Sequence, residues 1–233
     1  MLLLLLLLIA SAGAAEKTVS GAPTFPAEEQ LTYNINWPTG LSLGEASLHT
    51  VRRRTETGIR IESEFRLDAS VPGFQVLDQY RAAAGEDYCS TELSKTYQHG
   101  KRHSEETSTF DAGKQIATRE TKGGGKTEIH IATCAKDALT YVQYVRRELS
   151  QGRLPPHQAV LFGAEYQVSV QFAGTQSITV SEKPMEADRL NVTLKGPATD
   201  LSFEAYFAKD TVRTPVLIRV PTQLATFSME LVR

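Results

Sequence analysis

The sequence predicts a mainly β protein: a curved antiparallel sheet, barrel or half-barrel, with one central α-helix packed on it or plugging it. Three observations lead there. Apolar residues alternate with polar ones along most of the chain from Leu31 to Leu231, the period-two mark of strands with one buried face. Glycine, proline and aspartate interrupt this alternation at short intervals, as the turns of a meander do. The alternation breaks once, from Asp137 to Leu149, where Ala138, Val142, Val145 and Leu149 recur at spacings of four, three and four.

The first strand sets Leu31, Tyr33, Ile35 and Trp37 on one face and Thr32, Asn34 and Asn36 on the other; Pro38 and Gly40 then turn the chain. In the next strand the apolar set changes phase at Gly44, from Leu41 and Leu43 to Ala46 and Leu48, which predicts a β-bulge. A third strand points Ile59, Ile61, Phe65 and Leu67 inward and Arg60, Glu62, Glu64 and Arg66 outward. Weaker strands follow over 76–83, 93–99, 102–110, 115–121 and 127–131, with turns at Gly100, Asp111-Ala112-Gly113 and Gly123-Gly124-Gly125.

The helix has recognisable ends. Asp137 is placed to cap the free amide groups of its first turn, and Arg146 and Arg147 suit the negative end of its dipole. Gly152 and Pro155-Pro156 stop it. Strands then resume: Tyr166 to Phe172, Ile178 to Val180, Leu190 to Leu194, Leu201 to Phe207, Val216 to Val220 and Ala225 to Leu231, with breaks at Gly174, Pro184, Gly196-Pro197 and Asp210. About a dozen strands follow from these spacings.

The 233 residues carry 41% hydrophobic and 22% charged side chains, ordinary globular usage with enough chain for a sizeable core. A net charge of −2 gives no general pull toward nucleic acid or an anionic surface. At the amino end an unbroken leucine run, Leu2 to Leu8, continues through Ile9 and Ala10 into Ser11-Ala12-Gly13-Ala14-Ala15. An apolar run ending in small residues is the pattern of an export signal, with cleavage expected near Ala14 or Ala15. It is too short for a spanning helix, which needs about 20 apolar residues, so no transmembrane anchor is expected after processing. No Lys or Arg precedes the leucines, and no Cys follows them to take a lipid. The organisation expected is therefore an export signal over 1–15, a flexible leader over 16–27 and a single β-rich domain over 28–233, periplasmic or secreted. Two cysteines, Cys89 and Cys134, remain. In an oxidising compartment an even count favours one disulfide over two free thiols.

Catalytic patterns are sparse. His99 and His103 are separated by three intervening residues, with Glu105 and Glu106 behind them, but Gly100 reads as a hairpin turn and Lys101 and Arg102 would repel a cation. The sequence holds no Gly-x-Ser-x-Gly elbow, and Gly123-Gly124-Gly125 lacks the strand-to-helix setting of a phosphate loop. The acid pairs Glu28-Glu29, Glu86-Asp87 and Glu105-Glu106 read as solvated surface, and Arg52-Arg53-Arg54 as charge protecting a strand edge. Asn191-Val192-Thr193 fits a glycosylation acceptor, relevant only in a eukaryotic source. No catalytic residue, metal or cofactor is expected.

Three stretches taken together carry a resemblance, each being also an ordinary strand or helix signal: Leu31-Thr32-Tyr33-Asn34-Ile35-Asn36-Trp37 followed by Gly44-Glu45-Ala46-Ser47-Leu48; Asp137-Ala138-Leu139-Thr140-Tyr141-Val142-Gln143-Tyr144-Val145-Arg146; and Phe203-Glu204-Ala205-Tyr206-Phe207-Ala208-Lys209-Asp210 leading through Arg213-Thr214-Pro215-Val216. In this order they resemble the bacterial exported family known as domain of unknown function 3108. Ala138 and the Tyr206-Phe207 pair depart from that family's usual residues. The resemblance implies a cell-envelope protein without an assigned activity and transfers no catalytic residue.

These readings lead to a non-enzymatic binding or carrier module for a lipid or other apolar small molecule. Its expected groove or lid residues are Tyr141, Val142, Val145 and Leu149 on the helix, with Tyr166, Phe203, Phe207 and Phe227 on the sheet. The alternative is a structural or assembly protein that contacts other envelope proteins through a sheet edge or surface patch.

Overall fold

The computed structural model describes residues 25–71, 74–197, 200–222 and 225–232. The expected export signal and most of the expected leader lie outside the described residues. Eight strands come first: β1 (Glu28–Asn36), β2 (Ser42–Thr55), β3 (Gly58–Val71), β4 (Phe74–Gly85), β5 (Ser90–His99), β6 (Arg102–Asp111), β7 (Ile116–Thr121) and β8 (Lys126–His130). A two-residue β9 (Lys136–Asp137) leads into α1 (Ala138–Ser150). The remaining strands are β10 (Gln158–Leu161), β11 (Glu165–Val180), β12 (Lys183–Lys195), β13 (Asp200–Ala208), β14 (Pro215–Pro221) and β15 (Thr226–Leu231).

All of them belong to one sheet in the order β8-β7-β6-β5-β4-β3-β2-β1-β15-β14-β13-β12-β11-β10-β9. Each half of the chain is thus a simple meander, and the halves join where β1 pairs antiparallel with β15. The sheet is curled and mainly antiparallel, as the alternation predicts; the short β9 alone runs parallel to its neighbour β10. Its two edges, β8 and β9, are not joined by a ladder. The curl is instead held by side chains. The turn between β10 and β11 reaches β4, β5 and β7: Lys95 lies over the Phe162 ring at 4.4 Å, Arg119 donates to the Gly163 carbonyl, and Tyr80 meets Phe162 edge-on at 5.0 Å.

Fifteen strands are present where about a dozen are expected; β9 and β10 are additions, whereas Gly174 and Pro184 are expected breaks that lie inside strands. β9 and β10 are too short to show a period. Gly174, expected to end a strand, lies inside the 16-residue β11, where the register with β12 slips between Phe172 and Thr175. Pro184 likewise sits within β12, opposite Thr179, and the break falls before it at Ser181 and Glu182, both with positive φ. The bulge at Gly44 is present: Ile35 pairs with Gly44 and Asn36 with Ser42, skipping Leu43. Its φ is +152°, and a Cβ there would collide with the Asp68 carbonyl oxygen on β3.

The helix is where its pattern places it, with Asp137 as N-cap accepting from the amides of Leu139 (2.8 Å) and Thr140 (3.0 Å). It is enclosed rather than half-exposed. Tyr141, Val145 and Leu149 pack on Val160, Val168, Leu190, Ala205 and Phe207 from β10 to β13. Val142 faces Leu31, Tyr33, Ala46 and Leu48 of β1 and β2, and Leu139 faces Ala82 and Leu93 of β4 and β5. A separate cluster of Val180, Ala187, Tyr206, Val216 and Leu217 lies across β11 to β14.

Cys89 and Cys134 form a disulfide that ties the segment before β5 to the segment before β9. Their separation of 45 residues gives a loop whose closure stabilises the fold by about 4 kcal/mol on chain-entropy grounds. A Cys89→Ala/Cys134→Ala variant should therefore lose about that much in urea unfolding relative to the oxidised protein. Equal midpoints for the two would show that the cross-link does not restrict the unfolded chain.

Candidate functional site

Beyond the helix the interior of the sheet is not filled. A cavity of about 350 Å³ opens among β1 to β4, β14 and β15. Its walls are Ile35 on β1, Leu43 on β2, Phe65, Leu67, Ala69 and Ser70 on β3, Val76 on β4, Ile218 and Val220 on β14, and Phe227, Ser228 and Met229 on β15. The exposed wall is apolar throughout. The strands place these side chains by their pleat: apart from Ser70 and Ser228, the wall residues of each strand alternate along it. Trp37 closes one side, meeting Phe227 edge-on with ring centroids 5.0 Å apart. Ile35, Phe65, Leu67 and Met229 also pack against the cluster that holds Val142, so the inner end of the cavity is the floor on which the helix rests.

A row of polar groups winds along the helix. Asp137, Thr140, Gln143 and Arg146, at three-residue steps, wind about half a turn around the helix and are all buried. The Asp137 carboxylate accepts from Ser90 on β5 (2.6 Å) and from the Thr140 hydroxyl (2.6 Å), besides the two amides it caps. Burial pushes its pKa up, against the pull of those donors. Gln143 donates to Thr50 on β2 (3.0 Å) and accepts from Arg52 (3.0 Å). Arg146, 0% exposed, forms a bidentate pair with Glu29 of β1 at 2.5 and 2.8 Å and donates to the Val212 carbonyl at 3.1 Å. All four of these side chains are engaged within the protein, and the row holds the helix in its seat.

Three surface assignments are corrected by this row and its neighbours. Glu29 is turned inward on Arg146 while Glu28 faces out to His49, because adjacent residues on a strand must take opposite faces. Glu106 similarly faces Lys95 in a part-buried pair at 3.4 Å. Arg52 belongs to no sheet edge, since β2 lies between β1 and β3; its guanidinium covers the Phe25 ring at 4.7 Å and reaches Gln143. Arg146 compensates Glu29 rather than the helix dipole alone.

Of the eight expected groove or lid residues, Tyr141, Val145, Leu149 and Phe207 are packed in one cluster, with Tyr166 and Phe203 against it. Val142 belongs to the cluster beneath the cavity, and Phe227 lines the cavity itself. Sequence reasoning missed Leu43, Ala69, Val76, Val220 and Met229 as wall residues. Their inward alternation is visible, but which stretch of each strand lies past the helix depends on where the helix seats. The histidines sit apart on acids: His99 on Asp78 at 2.8 Å, His103 on Glu105 at 3.2 Å. Asp87 lies near both cysteine sulfurs, which are bonded to each other and offer no thiolate to a metal.

The fold and site together define a barrel-like sheet curled around one helix, with an apolar cavity at its hairpin end. The sequence matches the family described as "Protein of unknown function (DUF3108)" over residues 32–232, and the chain belongs to that family. Among solved structures it is similar to a β-barrel-like protein of domain of unknown function DUF1849 from Brucella abortus, with a TM-score of 0.63 at 5% identity, covering 89% of this chain and 96% of that one. That likeness is one of fold. A protein from Bacteroides fragilis described as exported, with a YmcC-like fold, aligns at a TM-score of 0.33 and 10% identity over 91% of this chain and 96% of that one. A protein from Parabacteroides distasonis described as a lipoprotein aligns at 0.35 and 8% identity over 90% and 95%. A comparison with curated proteins finds no match. Among the described residues no helix is long and apolar enough to cross a membrane.

Two outcomes follow from the polar row. Glu29→Gln leaves Arg146 buried without a counter-charge and should destabilise the fold by about 3 kcal/mol in urea; an unchanged midpoint would mean that water reaches Arg146. At the end of α1, burial raises the Glu148 pKa but hydrogen bonds from Arg153 and Arg147 outweigh it, holding the group below its ordinary 4.5. Its stabilising contribution is present above pH 4.5 and is lost as pH falls through the lower folded value. Glu148→Gln should therefore flatten the acid limb of the stability curve, read as urea midpoints against pH.

Proposed function

We propose that the protein is an exported, non-enzymatic binding or carrier module of the cell envelope that holds an apolar ligand in the cavity of its curled sheet. The observation that carries this reading is the wall. A cavity of about 350 Å³ with only apolar surface falls within the usual range of ligand sites. It is more than twice the roughly 150 Å³ that admits benzene in a dry engineered cavity. A hydrocarbon chain suits it, because a polar group placed there would lose its hydrogen bonds to water without replacement. The leucine run from Leu2 and its small-residue end support export.

The cavity belongs to a rigid floor, so uptake needs no reorganisation of the helix. Tyr141, Val145 and Leu149 act in this reading as packing that fixes the floor's position. A second reading rests on β8, which is paired on one side only and largely exposed, and so offers backbone groups to a strand of another envelope protein.

Native mass spectrometry of the protein purified from its own compartment without detergent should show an added apolar mass. A fluorescent fatty acid should bind, and Val76→Trp, which fills the cavity from β4, should weaken that binding by at least about tenfold. A bare mass that persists after incubation with envelope lipids would overturn the carrier reading and favour the β8 edge.

A further inference from the structure

The inner rows of the sheet do not stop at the cavity. Two residues beyond Ile35 on β1 stands Trp37; two before Leu43 on β2 stands Leu41; two before Val76 on β4 stands Phe74. Leu41 is 66% exposed and Phe74 46% exposed, so the apolar rows emerge from the mouth into solvent. The connection that carries Trp37 and Leu41 holds no charged residue, and it is a closed turn, with the Trp37 amide donating to the Leu41 carbonyl at 2.8 Å. Exposed apolar side chains grouped around an apolar opening are costly in water.

A positive rim stands beside them. The turn from β5 to β6 is level with the start of β4: the Gly100 amide donates to the Gln75 carbonyl at 2.8 Å, and a Cβ on Gly100 would lie 3.2 Å from the Phe74 ring. The next two residues, Lys101 and Arg102, are exposed, and among the described residues neither pairs with a carboxylate. The nearest acids are already engaged: Asp78, four residues beyond Phe74 on β4, by His99 at 2.8 Å, and Glu105, three residues beyond Arg102 on β6, by Lys122 at 2.8 Å.

We propose that this hairpin end docks on an anionic phospholipid bilayer. Leu41 and Phe74 enter the acyl boundary, Trp37 lies at headgroup level, and Lys101 and Arg102 meet lipid phosphates. The orientation turns the cavity mouth toward the leaflet. The inference rests on the apolar-ligand reading for what the cavity exchanges there, and on the two surface features for the docking itself.

The test is co-flotation of the exported form with vesicles of phosphatidylglycerol and phosphatidylethanolamine, against vesicles of phosphatidylcholine alone. Binding should be strong on the first, weak on the second, and reduced by added salt. Leu41→Asp/Phe74→Asp should lower partition by at least about tenfold, and Lys101→Glu/Arg102→Glu by about as much on anionic vesicles only. Urea midpoints, unchanged for both variants, certify their folding. Failure of the wild type to float, or equal flotation of both variants, overturns the proposal. So does a dimer in solution that the Leu41/Phe74 changes break while vesicles bind nothing. Uptake of fluorescent fatty acid without vesicles separates the two ideas. Uptake without flotation removes docking alone, and flotation without uptake removes the cavity reading alone.

Discussion

A helix enclosed by a sheet must find partners inside for every polar group it carries, and this requirement organises the molecule. Asp137, Thr140, Gln143 and Arg146 form one row on α1, and the sheet answers with Ser90, Thr50, Arg52 and Glu29. The partners lie on β1, β2 and β5, so the helix can seat in one rotation and one axial position without orphaning a buried charge. Such a pair adds little net stability over an apolar substitute. What it supplies is selectivity among seats that apolar packing alone would find nearly equal, and the apolar neighbours Tyr141, Val145 and Leu149 then fill the remaining contacts.

The seat decides where empty space is left. With α1 packed on β10 to β13 and resting on the Leu31, Tyr33 and Leu48 cluster, the hairpin ends of β1 to β4, β14 and β15 have no element to cover their inner faces. The cavity is thus the part of the sheet's interior that the helix does not reach. Local rules elsewhere support the same shape: the Gly44 bulge lets β2 approach β3 closely at the place where the cavity wall bends.

The architecture was legible because it depends on local period. Fourteen-residue strands such as β3 display their alternation openly, and α1 carries a cap, an apolar face and a stop within its own segment. The site was legible only in part. Phe227 is identifiable as an inward aromatic, yet Leu43 or Val76 becomes a wall residue through the position of a helix far along the chain. The inward turn of Glu29 was hidden for a related reason. A carboxylate beside Glu28 looks like surface until the buried Arg146 is known to lie 117 residues away. Short strands such as β9 and the slip within β11 have no sequence period long enough to read.

The pairing of β1 with β15 also sets an order of events. Every other ladder apart from the short β9 pair joins strands that follow one another closely in the chain, so both meanders can grow as the chain is made or delivered. The seam between them cannot form until Tyr33 meets Leu231, almost the full length of the protein later. Until then β1 is an open edge, although α1, which comes well before β15 in the chain, can already offer Arg146 to Glu29. A polypeptide threaded across a membrane from its amino end would remain unsealed until its last strand emerged. The seam between β1 and β15 is therefore the last ladder whose two strands come into reach of one another, and it alone turns two local meanders into one curled sheet.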